Sequence, residues 1–179
     1  SENKSEKNLF YNNFRLDVDI AKIYLDKDNF LNNLKGYLIY KKNKVYEANL
    51  QSNFSIEKKI KFTIKTKGKE KITTLFTDIA KPIVKRYKFI KGFDEGSLDF
   101  YSIEKNNISN SILKIYDFKL KELPALTKVL TLASLQGIAD TLSGEGIRFN
   151  DFEMDFTNKK ELITINEIYA IGPAISIMV

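Results

Sequence analysis

Apolar and polar residues alternate with a period of two along most of the first half of the chain. Such alternation predicts β-strands that bury one side of a sheet and expose the other. Short polar segments separate the alternating stretches, which indicates an antiparallel meander. The apolar positions that define these strands are Phe14, Leu16, Val18, Ile20, Leu34, Leu38, Tyr40, Tyr46, Ala48, Leu50, Phe54, Ile60, Phe62, Ile64, Ile72 and Leu75.

The second half of the chain predicts helices as well as strands. A short helix is expected to begin near Ala80, because Pro82 is tolerated only in a first turn. A long helix is expected over residues 124–143, where Leu126 and Val129 belong to a broad apolar side that would pack on the sheet or cap its end. The predicted fold class is therefore α+β, mainly antiparallel β: a curved meander sheet with one short and one long helix. Further strands are predicted over residues 97–105, 111–120, 147–156 and 162–179.

The composition removes several classes of function. The chain has 179 residues, of which 43% are hydrophobic, enough for one domain with a real core. It contains no His and no Cys, so catalytic triads, histidine metal sites, thiolate chemistry and disulfides are excluded. A site built from carboxylates alone stays open on composition, but the acidic residues mostly alternate with apolar ones, as on a solvated side of a strand. We therefore expect no enzymatic activity, no metal and no cofactor.

The sequences of both ends predict that this chain is a fragment of a longer protein. No run of about 18 apolar residues is present, so no segment is expected to span a bilayer. Residues 1–8 lack the apolar stretch of a signal peptide and are expected to be a disordered end. Residues 175–179 indicate a strand that stops while still apolar, although a short buried final strand would also fit. Residues 9–179 are therefore predicted to form a single module.

One segment near the C-terminus carries a resemblance to a known family. An apolar helix is predicted to stop at a Leu-Ser-Gly-Glu-Gly-Ile-Arg-Phe segment and pass directly into a strand, with glycine supplying positive φ angles at the turn. A Gly-Pro pair follows in the last predicted strand, where it indicates a bend or a bulge. This arrangement resembles the AsmA-like bacterial envelope proteins, in particular the C-terminal module of the YhdP-type members. The motif positions are Leu142, Gly144, Gly146, Phe149, Gly172 and Pro173.

The resemblance implies a fold of the repeating β-groove type and a function without catalysis. It implies a module of a periplasmic parent protein, anchored to the inner membrane by a segment outside this sequence. The implied role is phospholipid transport between the inner and outer membranes, or control of outer-membrane permeability. The implied partners are phospholipid acyl chains and neighbouring β-groove modules of the same parent chain. The candidate positions for lining a lipid groove are Leu16, Val18, Leu38, Leu50, Phe62 and Ile64.

Three alternatives stay open on the sequence. The same amphipathic strands would form an ordinary core in any small sheet protein. A related, TamB-type role in outer-membrane protein assembly would use a sheet edge that pairs with client strands. Seven lysines over residues 58–71 would suit an anionic surface, either phospholipid headgroups or nucleic acid, and a net charge of +6 permits a nucleic-acid-binding domain. We expect no nucleic acid, because the aromatic residues do not interleave with the lysines as a stacking platform requires. A solvated strand explains the lysines as well.

Overall fold

Ten strands form one sheet in the computed structural model, which describes residues 13–87, 92–121, 146–173 and 176–178. Each strand pairs in antiparallel fashion with the next strand along the chain, so the sheet is an open, curved meander, as predicted. The strands are β1 Phe14–Tyr24, β2 Phe30–Lys41, β3 Lys44–Asn53, β4 Lys59–Lys67, β5 Glu70–Thr77, β6 Phe93–Lys105, β7 Ile108–Leu120, β8 Ile147–Lys159, β9 Leu162–Ile171 and β10 Ser176–Met178.

The two ends of the sheet differ in how the strands are connected. At one end, called the turn end here, two-residue turns join β2 to β3, β4 to β5, β6 to β7 and β8 to β9. Asn106 and Asn107 occupy one of these turns with φ angles of 54° and 60°, and asparagine tolerates this left-handed region better than most residues. The opposite end, called the loop end, carries longer connections and the helix α1, Lys81–Tyr87.

The buried core lies at the loop end, on β6 to β8. Phe118 is at its centre, and the rings of Phe93 and Phe149 stack on it at centroid distances of 5.3 and 5.2 Å. Ala80 and Val84 bring α1 onto this cluster, and both are almost completely buried. The short helix begins one residue after Ala80 with Pro82 in its first turn, which confirms its prediction. The other buried apolar members are Leu98, Leu113, Ile115, Ile147 and Ala170.

In the second half of the chain, one predicted element lies outside the described residues and another is wrong. The long helix expected over residues 124–143 lies outside the described residues. The single last strand expected over residues 162–179 is wrong. β9 ends before Gly172, the chain reverses, and β10 pairs back on β9 with Ser176 opposite Ile171. Apolar residues continue on both sides of the Gly-Pro pair, and such a pattern does not distinguish a reversal from a bend.

Candidate functional site

The six positions predicted to line a groove lie together on one side of β1 to β4. Residues directly opposite each other in an antiparallel pair project from the same side of a sheet. The strand registers therefore create two neighbouring rows that cross these four strands. We call this side of the sheet the apolar face. The rows are Leu16, Leu38, Ala48 and Ile64, and then Val18, Gly36, Leu50 and Phe62.

The second row continues beyond β4 into the core. Phe62 lies opposite Leu75, Leu75 opposite Phe100, and Phe100 opposite Leu113. The apolar face thus runs without a gap from the outer strand β1 to the core under α1. These continuing positions were not among the predicted groove residues, although the same alternation in β5 to β7 pointed to them.

Side chains on the apolar face become more exposed toward β1. Leu113 and Ile115 in the core are 8% and 0% exposed, whereas Leu16 and Ile20 on β1 are 49% and 43% exposed. The other five predicted groove residues are intermediate in exposure. The helix α1 packs on β6 and covers the core part of this face, whereas Leu16 and Ile20 on β1 stay accessible. Between them, Ala48 on β3 is still buried, at 3% exposure. An ordinary core explains the β6 to β8 part of this face but not its β1 part.

The first row turns polar where it approaches the centre of the sheet. Ile64 lies opposite Thr73, and Thr73 lies opposite Ser102. Ser102 and Ser111 are both buried, and the Ser111 hydroxyl donates a hydrogen bond to the Ser102 hydroxyl over 2.9 Å. This hydrogen bond offsets the cost of burying the two hydroxyls. Thr73 and the two serines therefore interrupt the first row between Ile64 on β4 and Phe156 on β8, which lies opposite Ser111.

The motif residues that carried the resemblance are structural where they are described. Gly146 has a φ angle of 83°, and a Cβ atom there would lie 2.6 Å from the carbonyl oxygen of Leu120. Phe149 is 2% exposed, inside the core. A Cβ atom on Gly172 would lie 2.2 Å from the carbonyl oxygen of Arg148, so Gly172 permits close packing on β8. These values confirm the expected positive φ at Gly146. Pro173 follows at the chain reversal, while Leu142 and Gly144 lie outside the described residues.

The opposite side of the sheet carries paired charges. Arg15 bonds Asp17 at 2.8 Å, and its guanidinium lies 4.1 Å from the ring centroid of Tyr37. The Tyr37 hydroxyl donates to Glu47 over 2.6 Å, and this hydrogen bond raises the pKa of Tyr37. Lys114 pairs with Glu153 at 2.9 Å. Paired charges of this kind are typical of a solvated sheet surface.

A second group of ion pairs connects neighbouring elements at the loop end. Asp94 accepts hydrogen bonds from Lys121 and Lys81 over 2.5 and 2.7 Å, and these bonds hold its pKa well below the usual range. Glu95 pairs with Lys119 at 3.0 Å and with Arg148 at 2.9 Å. Both carboxyls are stabilised in the ionised form by their cations. They therefore suit structural ion pairs that connect α1, β6, β7 and β8 better than proton transfer at neutral pH.

Among the residues described, no three side chains of the metal-binding types lie close enough to hold an ion, and no helix has the length and apolarity to cross a bilayer. Comparisons with protein-family models, with curated proteins and with solved structures gave no match. The resemblance to AsmA-like proteins therefore stays a prediction.

Proposed function

We propose that this chain is a non-enzymatic module that holds phospholipid acyl chains along the open part of its apolar face, on β1 to β4. The observation that carries the proposal is the alignment of all six predicted groove residues in two adjacent rows. Leu16, at the outer end of the first row, is 49% exposed. A continuous, accessible apolar surface of this kind marks a site for an apolar partner.

Hydrocarbon needs little beyond such a surface. Burying one methylene group contributes about 0.8 kcal/mol, so covering about ten of them contributes about 8 kcal/mol before the cost of ordering the chain. Strands lie about 4.8 Å apart, so the stretch from β1 to β4 is about 14 Å across. No precisely placed polar group is required, which suits a chain without His or Cys.

The setting that we propose follows from the family resemblance. The module would belong to a periplasmic parent protein anchored in the inner membrane, and neighbouring modules of the same parent would extend the groove. The parent would move phospholipid between the two membranes of the envelope and so maintain the outer membrane as a permeability barrier.

Native mass spectrometry of the purified protein tests acyl-chain binding. We expect co-purified phospholipid on the wild-type protein and its loss from Leu38→Asp and Phe62→Asp, because a carboxylate buried against hydrocarbon costs several kcal/mol. Asn49→Asp is the matched control. It adds the same charge on β3, but its side chain is exposed on the other side of the sheet.

The folded state of each variant must be checked by circular dichroism. Folded Leu38→Asp and Phe62→Asp proteins without lipid, beside an Asn49→Asp protein with lipid, would support the proposal. Lipid retained by all three folded variants would contradict it, as would wild-type protein that carries no lipid after purification from envelope membranes.

A role in outer-membrane protein assembly is the second candidate, and the edge strand favours it. Within the described part of the chain, β1 pairs only with β2, so its other edge presents backbone hydrogen-bonding groups. Photo-crosslinkers at Asp17 and Asp19 on β1 should capture outer-membrane proteins if this edge receives client strands. Crosslinks to lipid alone at apolar-face positions would decide against it.

A further inference from the structure

A basic cavity of about 410 Å³ lies at the turn end of the sheet. Three two-residue turns converge on it, those between β2 and β3, β4 and β5, and β6 and β7. Five lysines and one glutamate line it, which gives a formal net charge of +4. Asn106, Asn107, Val45, Tyr46 and Thr66 contribute to its wall. The charged residues are Lys41, Lys42, Lys44, Lys69, Lys71 and Glu104.

The cavity opens on the same side of the sheet as the apolar face. Thr66 lies opposite Lys71, and Lys71 lies opposite Glu104. Thr66 is two residues beyond Ile64 on β4, so its side chain projects from the same side as Ile64. The basic cavity therefore adjoins the turn-end border of the predicted groove.

The positive charge of this cavity is only partly balanced. Lys71 forms a salt bridge with Glu104, and the Lys41 ammonium lies 4.5 Å from the ring centroid of Tyr46. Lys42, Lys44 and Lys69 form no ion pair with any described residue. Ammonium groups gathered around one small volume repel each other, and an anion bound between them relieves that repulsion.

We propose that this cavity binds a phosphate group. Lysine is a common phosphate ligand that acts as a point charge. The amides of Asn106 and Asn107 add neutral hydrogen-bond donors for phosphate oxygens. Val45 and Tyr46 supply an apolar part of the wall, which suits a phosphate that carries a hydrocarbon chain toward the apolar face. Only the lipid form of the ligand rests on the proposed function, because the positive charge of the cavity attracts a phosphate with or without a hydrocarbon chain.

Calorimetric titration with two probes tests this site and the source of the phosphate. The probes are inorganic phosphate and dihexanoyl phosphatidylglycerol, a lipid short enough to dissolve as a monomer. The test variant removes the three lysines that form no ion pair with a described residue, and we expect its affinity for both probes to fall about tenfold, or about 1.4 kcal/mol. The substitutions in the test variant are Lys42→Ala, Lys44→Ala and Lys69→Ala.

A matched triple variant controls for net charge. It removes three exposed lysines at the loop end, and we expect wild-type affinity for both probes. Equal thermal melts of the two triple variants will show that neither effect reflects unfolding. The substitutions in the control variant are Lys27→Ala, Lys58→Ala and Lys59→Ala.

Each outcome decides a different point. A lipid probe that binds more tightly than inorganic phosphate, with both weakened in the test variant, identifies a headgroup site. Equal or tighter binding of inorganic phosphate identifies a site for free phosphate. Equal losses in both triple variants, or no saturable binding of either probe by the wild-type protein, would overturn the inference. Phosphate binding by a protein that never carries lipid would refute the proposed function and leave this site standing.

Discussion

Leu16 and Leu113 both lie on the apolar face, and replacing each with Asp distinguishes an open groove from a core. Leu113 is 8% exposed, so an aspartate there would be buried within the apolar core cluster, at a cost of several kcal/mol. That loss approaches the total stability of about 5–15 kcal/mol that is typical of a domain. Leu16 is 49% exposed, and Leu16→Asp gives up only about half of a leucine's burial energy, or about 1 kcal/mol.

Urea denaturation followed by circular dichroism measures both variants. We expect Leu16→Asp to fold with a slightly lower midpoint and Leu113→Asp to be largely unfolded in buffer. Leu16→Asn serves as the uncharged control at the open position. Destabilisation of Leu16→Asp by several kcal/mol would show that β1 belongs to a covered core, and the argument for an accessible groove would then be wrong.

Two further predictions concern the loop end. Gly146→Val should destabilise the domain by about 2 kcal/mol, because its φ angle of 83° disfavours a side chain and a Cβ atom would lie 2.6 Å from the Leu120 carbonyl oxygen; an unchanged thermal melt would contradict this. Asp94→Asn should cost about 1 kcal/mol at neutral pH by removing the partner of Lys81 and Lys121. The ion pairs lower the pKa of Asp94 in the folded protein. The stabilisation that these ion pairs contribute is therefore complete above the unfolded pKa of about 4 and is lost as the pH falls through the folded pKa. The stability difference between wild type and Asp94→Asn should therefore narrow below about pH 4, and a difference that stays constant down to about pH 3 would contradict the assignment.

Alternation along the strands was sufficient to predict the meander and to predict which residues of each strand lie on the apolar side of the sheet. The phase of Leu16, Leu38 and Phe62 within their strands places all three on one side, and the registers agree. Local sequence did not predict how much of that side is covered. The covering of the core on β6 depends on where α1 docks, and this docking is set by tertiary packing around Ala80 and Val84.

The basic cavity was not predictable for a related reason. Its lysines come from separate turns that meet only after the sheet has formed, and their approach depends on strand register and twist. The lysines of residues 58–71 were expected largely on the side opposite Ile60. Lys61 and Lys65 do alternate with the apolar-face residues of β4, but Lys69 occupies a turn and Lys71 lines the cavity. A turn interrupts the period of two, so the side of a residue beyond it cannot be counted from the strand before it.

Photo-crosslinking at neighbouring positions of β3 in cells tests the central claim most directly. Leu50 lies on the apolar face opposite Phe62, whereas Gln51 is exposed on the other side of the sheet. A photoreactive residue at Leu50 should crosslink to phospholipid, and the same residue at Gln51 should not, because only the apolar face would contact acyl chains. Equal crosslinking at both positions would indicate non-specific contact with membranes. Absence of lipid crosslinks at Leu50 and at the other five groove positions would contradict the proposed function.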